Sequence, residues 1–216
     1  MDIIVEGNIG VGKTTYLRMM QEYTDEDIDV NVEPLAIWNK LNLLESFYAD
    51  PKRWAYTFQS IAFATRFSVA AQPRKNTNGV RILERSVFAD NKCFASSQYE
   101  MGNMNDLEWH GYSIWYNIMT EKFPDVLGYN KIIYLRATPE ACMRRINARN
   151  RNAEGGIELS YLRMLHNKYE KWLMSPEMAD RVHIIDVEKD WDSEDSYRES
   201  IYADIRKVIA DIRGTG

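Results

Sequence analysis

One stretch near the start of the chain limits its folding options more than any other. Gly7-Asn8-Ile9-Gly10-Val11-Gly12-Lys13-Thr14 fits the pattern G-x-x-x-x-G-K-[ST] in full. An apolar run, Ile3–Glu6, precedes it and reads as a buried strand; Thr14–Tyr23 follows and reads as a helix. Glycines permit a loop whose backbone N–H groups turn inward as a nest for anionic oxygens, and the helix adds its positive N-terminal end. Lys13 would reach the outer phosphates, Thr14 would hold Mg²⁺, and Thr15 would complete the turn into the helix. A mere glycine turn with a solvated lysine would not need a strand before it and a helix after it. The expectation is a bound nucleoside triphosphate, with ATP as the donor.

The rest of the chain alternates in the same way. Val30–Glu33, Val80–Glu84, Ile132–Leu135 and Val182–Asp186 are further strand candidates, Val30–Glu33 being the least apolar. Helical segments lie between them: about Pro51–Ala71, Asp106–Phe123, Pro139–Asn147 and Tyr161–Met174, with Ser193–Ile212 closing the chain. This predicts an α/β fold of about five parallel strands flanked by helices, in one domain spanning 1–216. Ligands of such sheets sit beyond the carboxyl ends of the strands. Glu6-Gly7, Glu33 and Glu84-Arg85 stand at those ends.

Composition narrows the classes of function. A net charge of −5 argues against a bulk nucleic-acid binder, which needs a basic surface. No apolar run approaches the roughly 20 residues of a membrane span. Two cysteines, Cys93 and Cys142, are too few for a disulfide framework. With Met1 leading straight into a strand, a cytoplasmic protein without presequence is expected. His110, His166 and His183 lack metal-ligand spacing and read as structural. Met101, Met104 and Met119, with Trp109 and Trp115, read as helix-packing residues or part of a subunit interface.

A phosphate loop alone does not separate a kinase from a GTPase or an ATPase. The guanine-reading N-K-x-D of GTPases is not found, and the candidate apolar-strand Asp, Asp186, falls too near the C-terminus for a large ATPase. Small-molecule kinases place a carboxylate base at a strand end and arginines over the phosphates. Glu33, followed by the turn-forcing Pro34, suits the first role. The stretch MRRINARNRNAEGG suits the second, with Arg145 and Arg149 at i, i+4 and Arg151 just beyond. In the long helix, Gln59, Ala62, Phe63 and Arg66 share a face, so an amide, a ring and a guanidinium are expected together, as a nucleobase would require.

These residues bring a family into view. GNIGVGKTT, EPLAIW, FYADPKRWAYTFQ, ILERSVFAD, the lid RRINARNRNAEGGIELSYLRMLH and IDVEKDW occur in the order and at the spacing of the deoxyribonucleoside kinases. The chain resembles in particular their deoxycytidine/deoxyguanosine kinase branch, almost end to end. The resemblance implies a P-loop kinase fold with an arginine-rich lid, Mg²⁺ with ATP, and transfer of the γ-phosphate to a deoxynucleoside 5′-hydroxyl in nucleotide salvage. It implies Glu33 as the base, Arg85 near the 5′-oxygen and phosphate, and Glu84 as a Mg²⁺ carboxylate. Trp38, Phe58 and Phe94 would wall the nucleobase, Gln59 would pair with its edge, and Tyr48 and Glu154 would share the sugar 3′-hydroxyl. Arg145, Arg149 and Arg151 would attend the transferring phosphate, and Asp190-Trp191 would lie beside the donor adenine.

Family members that accept thymidine carry apolar and small residues where this chain has Arg66 and Asp90. The resemblance therefore implies deoxycytidine or purine deoxynucleosides, and Ala62-Phe63 with Gly156–Leu159 lean toward purines. Asn147 and Ala153 depart from the lid pattern of some members, which bears on lid affinity. The family is commonly dimeric, so a homodimer is expected. Two alternatives stand beside this reading: a nucleoside monophosphate kinase resembling thymidylate kinase, and a non-catalytic accessory protein of the same fold.

Overall fold

Ile3, Ile4 and Val5 are almost wholly removed from water because their strand, β1 (Asp2–Glu6), runs down the middle of a sheet covered on both faces. Beside it lie β3 (Val80–Glu84) and β4 (Lys131–Arg136); β2 (Ile28–Asn31) and β5 (Val182–Asp186) form the edges. The order is β2-β3-β1-β4-β5, and every pairing is parallel. The computed structural model describes residues 1–23, 28–75, 79–129, 131–150, 154–190 and 195–214. Among them, no helix is long and apolar enough to cross a membrane.

Helices cover the two faces: α1 (Lys13–Tyr23), α4 (Pro51–Ala70), α7 (Asp106–Lys122), α9 (Pro139–Arg149), α10 (Leu159–Leu173) and α11 (Asp195–Gly214). Their starts are written locally. Asp50 accepts the Arg53 N–H at 3.1 Å ahead of Pro51, and Thr138 accepts the Ala141 N–H at 3.2 Å ahead of Pro139. Asn105 and Glu108 form a reciprocal capping box before α7. Shorter helices, α2 (Leu35–Lys40), α3 (Leu43–Ala49), α5 (Val87–Ala89), α6 (Ser96–Glu100) and α8 (Pro124–Leu127), were not foreseen. A segment of one or two turns is too short for an apolar period to declare itself. A π-helical turn, Asp90–Ala95, joins α5 to α6.

One expected strand is displaced. β2 pairs Ile28 with Val80 through to Asn31 with Leu83, so the sheet ends two residues before Glu33 rather than at it. Val32 is half exposed, and Pro34 has no N–H to offer a ladder. The Glu33 N–H turns instead to the Glu84 carboxylate, 3.3 Å away.

Two buried cores result. One joins the sheet to α1, α10 and α11; the other is aromatic and lies among α2, α3, α4 and α7. Phe63 belongs to the second, edge-on to Trp115 at 4.3 Å. Its ring therefore faces α7 and not the face that carries Gln59 and Arg66, correcting the expectation that all three stand together. The crevice at the carboxyl end of β1 opens between these cores, where an open α/β sheet offers a ligand site.

Candidate active site

The loop after β1 is shaped by its glycines and by the helices around it. Gly10 has φ +77°, and a Cβ there would lie 2.6 Å from the Cys142 carbonyl and 2.7 Å from Ile146 of α9. Asn8 is buried; its Nδ2 donates to the Leu162 carbonyl of α10 at 2.9 Å, while its Oδ1 accepts from the Ile9 N–H at 2.8 Å. Lys13 opens α1 and donates to the carbonyls of Gly7 at 3.2 Å and Asn8 at 3.0 Å. Burial, followed by the charge of Arg85, brings its pKa down to about 8, against opposing pull from Glu33, Glu84 and Glu6. Such a lysine gains most by finding an anion. Gly7 and Val11 complete the loop around this point, and Gly12, Thr14 and Thr15 line the adjoining cavity.

That cavity, of about 300 Å³, runs from the phosphate loop to the aromatic core. At its mouth the Thr14 hydroxyl donates to Glu84 Oε1 at 3.0 Å. A hydroxyl at a helix start beside a buried carboxylate is a pair of hard oxygens suited to Mg²⁺, which usually takes one or two carboxylates plus substrate phosphates. Among the described residues no group of three or more His, Cys, Asp and Glu side chains could hold a metal ion.

Next comes Glu33. Its Oε1 accepts from Arg85 Nε at 2.8 Å and faces Arg66 Nη2 at 3.0 Å. Burial alone would raise its pKa, but Arg66, Arg85 and Lys13 outweigh burial and hold it well below the usual carboxylate range. Arg85 follows the last residue of β3 and has φ +66°, an uncommon and strained conformation for a side chain of this size. Its backbone N–H is held by the Val5 carbonyl at 3.0 Å, its guanidinium lies 4.3 Å over the Phe94 ring, and its Nη1 donates to the Tyr169 hydroxyl.

Farther in, Arg66 Nε donates to both oxygens of Asp90 at 2.9 Å, while Arg66 Nη1 is buried without a hydrogen-bond partner among the described residues. Asp90 begins the π-helical turn and Phe94 lies within it; both line the cavity, in keeping with the placing of π turns at functional sites. Gln59 is the clearest signal of a missing ligand. It is 1% exposed, and among the described residues neither its Nε2 nor its Oε1 has a hydrogen-bond partner. Leaving a buried donor and a buried acceptor unmade costs on the order of 1–3 kcal/mol each. Trp38 and Phe58 form an edge-to-face wall at 5.6 Å, and the Trp38 indole N–H is fixed by Thr65 Oγ1 at 3.1 Å. Ala62 lies between Gln59 and Arg66 on the same face of α4, where its small side chain leaves room.

Tyr48 and Glu154 line the other side of the cavity with Arg149. Arg149 grips Glu154 through two hydrogen bonds of 2.7 Å. Arg145 does something else again. Its guanidinium donates to the carbonyls of Val11, Val187, Glu188 and Lys189 and to the Asp190 carboxylate. Both arginines expected on the transferring phosphate thus hold protein acceptors. Arg145 ties the phosphate loop to the 187–190 segment, its donors filled by five acceptors, and Arg149 fixes a carboxylate. Arg151 and Trp191 lie outside the described residues.

Two neighbours of Arg85 escaped the sequence reading. In the sequence Glu6 reads only as a polar strand end, and Tyr169 is one position within the helix candidate Tyr161–Met174. Both are fully buried, and Tyr169 donates to Glu6 Oε2 at 3.1 Å.

The model of the deoxynucleoside kinase family matches residues 3–210. A probable deoxycytidine kinase of Fowlpox virus is 39% identical over 97% of this chain and 88% of its own length. The mitochondrial deoxyguanosine kinase of Xenopus laevis is 38% identical over 78% of this chain and 71% of its own. Deoxycytidine kinase of Homo sapiens is 34% identical over 96% and 90%, respectively. With phosphate loop, acceptor cavity and lid helices all inside the matched span, the chain belongs to the deoxynucleoside kinase family.

Proposed function

We propose that this protein, acting as a single domain, transfers the γ-phosphate of ATP to the 5′-hydroxyl of deoxycytidine or a purine deoxynucleoside, and discriminates against thymidine. The observation that carries the reading is Gln59, whose unpartnered donor and acceptor line, with Arg66, a cavity that also reaches the phosphate loop. A nucleobase edge offers both complements at once. Asp90 would accept from an exocyclic amino group, which cytosine, adenine and guanine carry in one place or another and thymine lacks.

Glu33 would take the 5′-hydroxyl proton as the oxygen attacks the γ-phosphorus and the bond to ADP breaks. Arg85 and Lys13 would spread the charge on the transferring group, which is where catalysis of phosphoryl transfer is concentrated. Thr14 and Glu84 would hold Mg²⁺, which would neutralise the triphosphate oxygens when bound. Tyr48 and Glu154, the latter fixed by Arg149, would receive the 3′-hydroxyl. Arg145 would brace the segment on which Asp190 approaches the donor base. We also assign the molecule as a homodimer, because Leu107, Ile114 and Ile118 form an exposed apolar stripe along α7. The unbridged, buried Cys93 and Cys142 are in keeping with a reducing compartment such as the cytoplasm.

The test is turnover of the purified protein on the four deoxynucleosides with ATP and Mg²⁺. Phosphorylation of deoxycytidine or a purine deoxynucleoside ahead of thymidine is expected. Activity on deoxynucleoside monophosphates alone, or none at all, would overturn the reading in favour of a monophosphate kinase or an accessory protein.

A further inference from the structure

Arg85 stands where the acceptor carboxylate and the phosphate loop meet, yet its own backbone conformation gives its side chain no secondary-structure support. Among the described residues, three contacts orient the guanidinium: Glu33 on Nε, the Phe94 ring beneath it, and the Tyr169 hydroxyl on Nη1. The third is made directional by what lies behind it. Glu6, at the end of β1, accepts from the Ser86 N–H at 2.8 Å and the Ser86 hydroxyl at 2.6 Å through Oε1, and from the Tyr169 hydroxyl through Oε2. A guanidinium can only donate, so the tyrosine lone pairs must face Arg85 and its hydroxyl proton points at Glu6.

We propose that Tyr169 and Glu6 are positioning residues for Arg85: the buried carboxylate aims the tyrosine hydroxyl, and the hydroxyl fixes the guanidinium in contact with Glu33. The proposal rests on the reading of Glu33 and Arg85 as acceptor-side machinery. Electrostatics agrees with the geometry. Burial works against the charge on Arg85, but Tyr169, Glu33 and Glu6 overcome it and push its pKa well above the usual value. Burial likewise pushes the Tyr169 phenol well up, with Glu6 adding to the rise, so it stays a neutral donor. The link spans the molecule: Tyr169 comes from α10, Glu6 from the strand that leads into the phosphate loop, and Arg85 from the end of β3.

Two substitutions separate positioning from simple packing. Tyr169→Phe keeps the ring against Tyr134 and Phe94 but removes the oxygen, and leaves Arg85 free to turn toward Glu6 and away from Glu33. Glu6→Gln can still accept from Ser86, but its amide then donates to Tyr169 and the hydroxyl proton loses the acceptor that aims it. Each single variant is expected to lower kcat about tenfold, equivalent to ~1.4 kcal/mol of transition-state stabilisation, with KM for the deoxynucleoside within twofold. Because both act through one hydroxyl, the double variant should lose no more than the worse single. Wild-type turnover in the same assay establishes the underlying reading independently. A kcat within twofold of wild type in Tyr169→Phe, or additive losses in the double variant, would overturn the proposal. Should Tyr169→Phe fail to fold, an undiminished kcat in Glu6→Gln would do so alone.

Discussion

Glu33 is the residue on which the two halves of the proposed reaction converge. One of its oxygens is shared by a guanidinium that contacts Asp90 and another that reaches toward the phosphate loop. Glu33→Gln keeps the shape and loses the proton acceptor, so turnover should fall at least ~100-fold, while deoxynucleoside affinity, read by calorimetry, changes little; near-normal turnover would rule out the base assignment. Because its folded pKa is depressed, the stability Glu33 contributes is fully present above its unfolded value and is lost as pH falls through the folded one. Lys13 gives the opposite case. In the ligand-free protein it is half deprotonated near pH 8, and triphosphate oxygens would recharge it. ATP binding measured near pH 8 in buffers of different ionisation enthalpy should therefore show proton uptake that vanishes at pH 6 and in Lys13→Met. Single residues of this kind were readable in the sequence because their neighbours in the chain announce them. Glu6 and Tyr169 were not, since 163 positions separate them and no local pattern reports a contact at that range.

At the scale of elements, the long helix α4 is where the proposed specificity would be written. Asp50 and Pro51 fix where it begins, and that start sets the phase that brings Gln59, Ala62 and Arg66 to the cavity while turning Phe63 into the aromatic core. The amphipathic period was legible, but the width of the functional face was not. It depends on where α7 packs, which lies outside the helix's own sequence. The same distinction explains β2. Its apolar residues foretold a strand, whereas its end is set by register against β3 and by the handover of the Glu33 N–H to Glu84. Replacing Arg66 with Met and Asp90 with Ala together should shift kcat/KM toward thymidine by tenfold or more relative to deoxyadenosine. A specificity ratio that did not move would reduce this pair to a structural salt bridge.

For the whole molecule, the strand–helix alternation carried the architecture: five parallel strands with helices on both faces. What it could not convey is that two separate cores meet at the cavity, because that division comes from long-range packing. The outer surface of α7 has its own consequence. Leu107 is 83% exposed and Ile114 62%, one above the other along the helix. Sedimentation should report twice the mass of a 25.3 kDa chain, and Ile114→Glu should halve it. A wild-type protein that sediments as a monomer at micromolar concentration would remove the dimer assignment.

The seating of the phosphate loop restricts what can change around it. Gly10 packs against α9 and Asn8 is bonded to α10, and both helices contribute to the lid stretch of 144–166. The loop is thus a keystone set between two helices. Substitutions at Asn8 or Gly10 should be felt in how α9 and α10 sit as well as in phosphate binding, and a replacement loop from another nucleotide-binding protein would have to match both helices before it could serve this one.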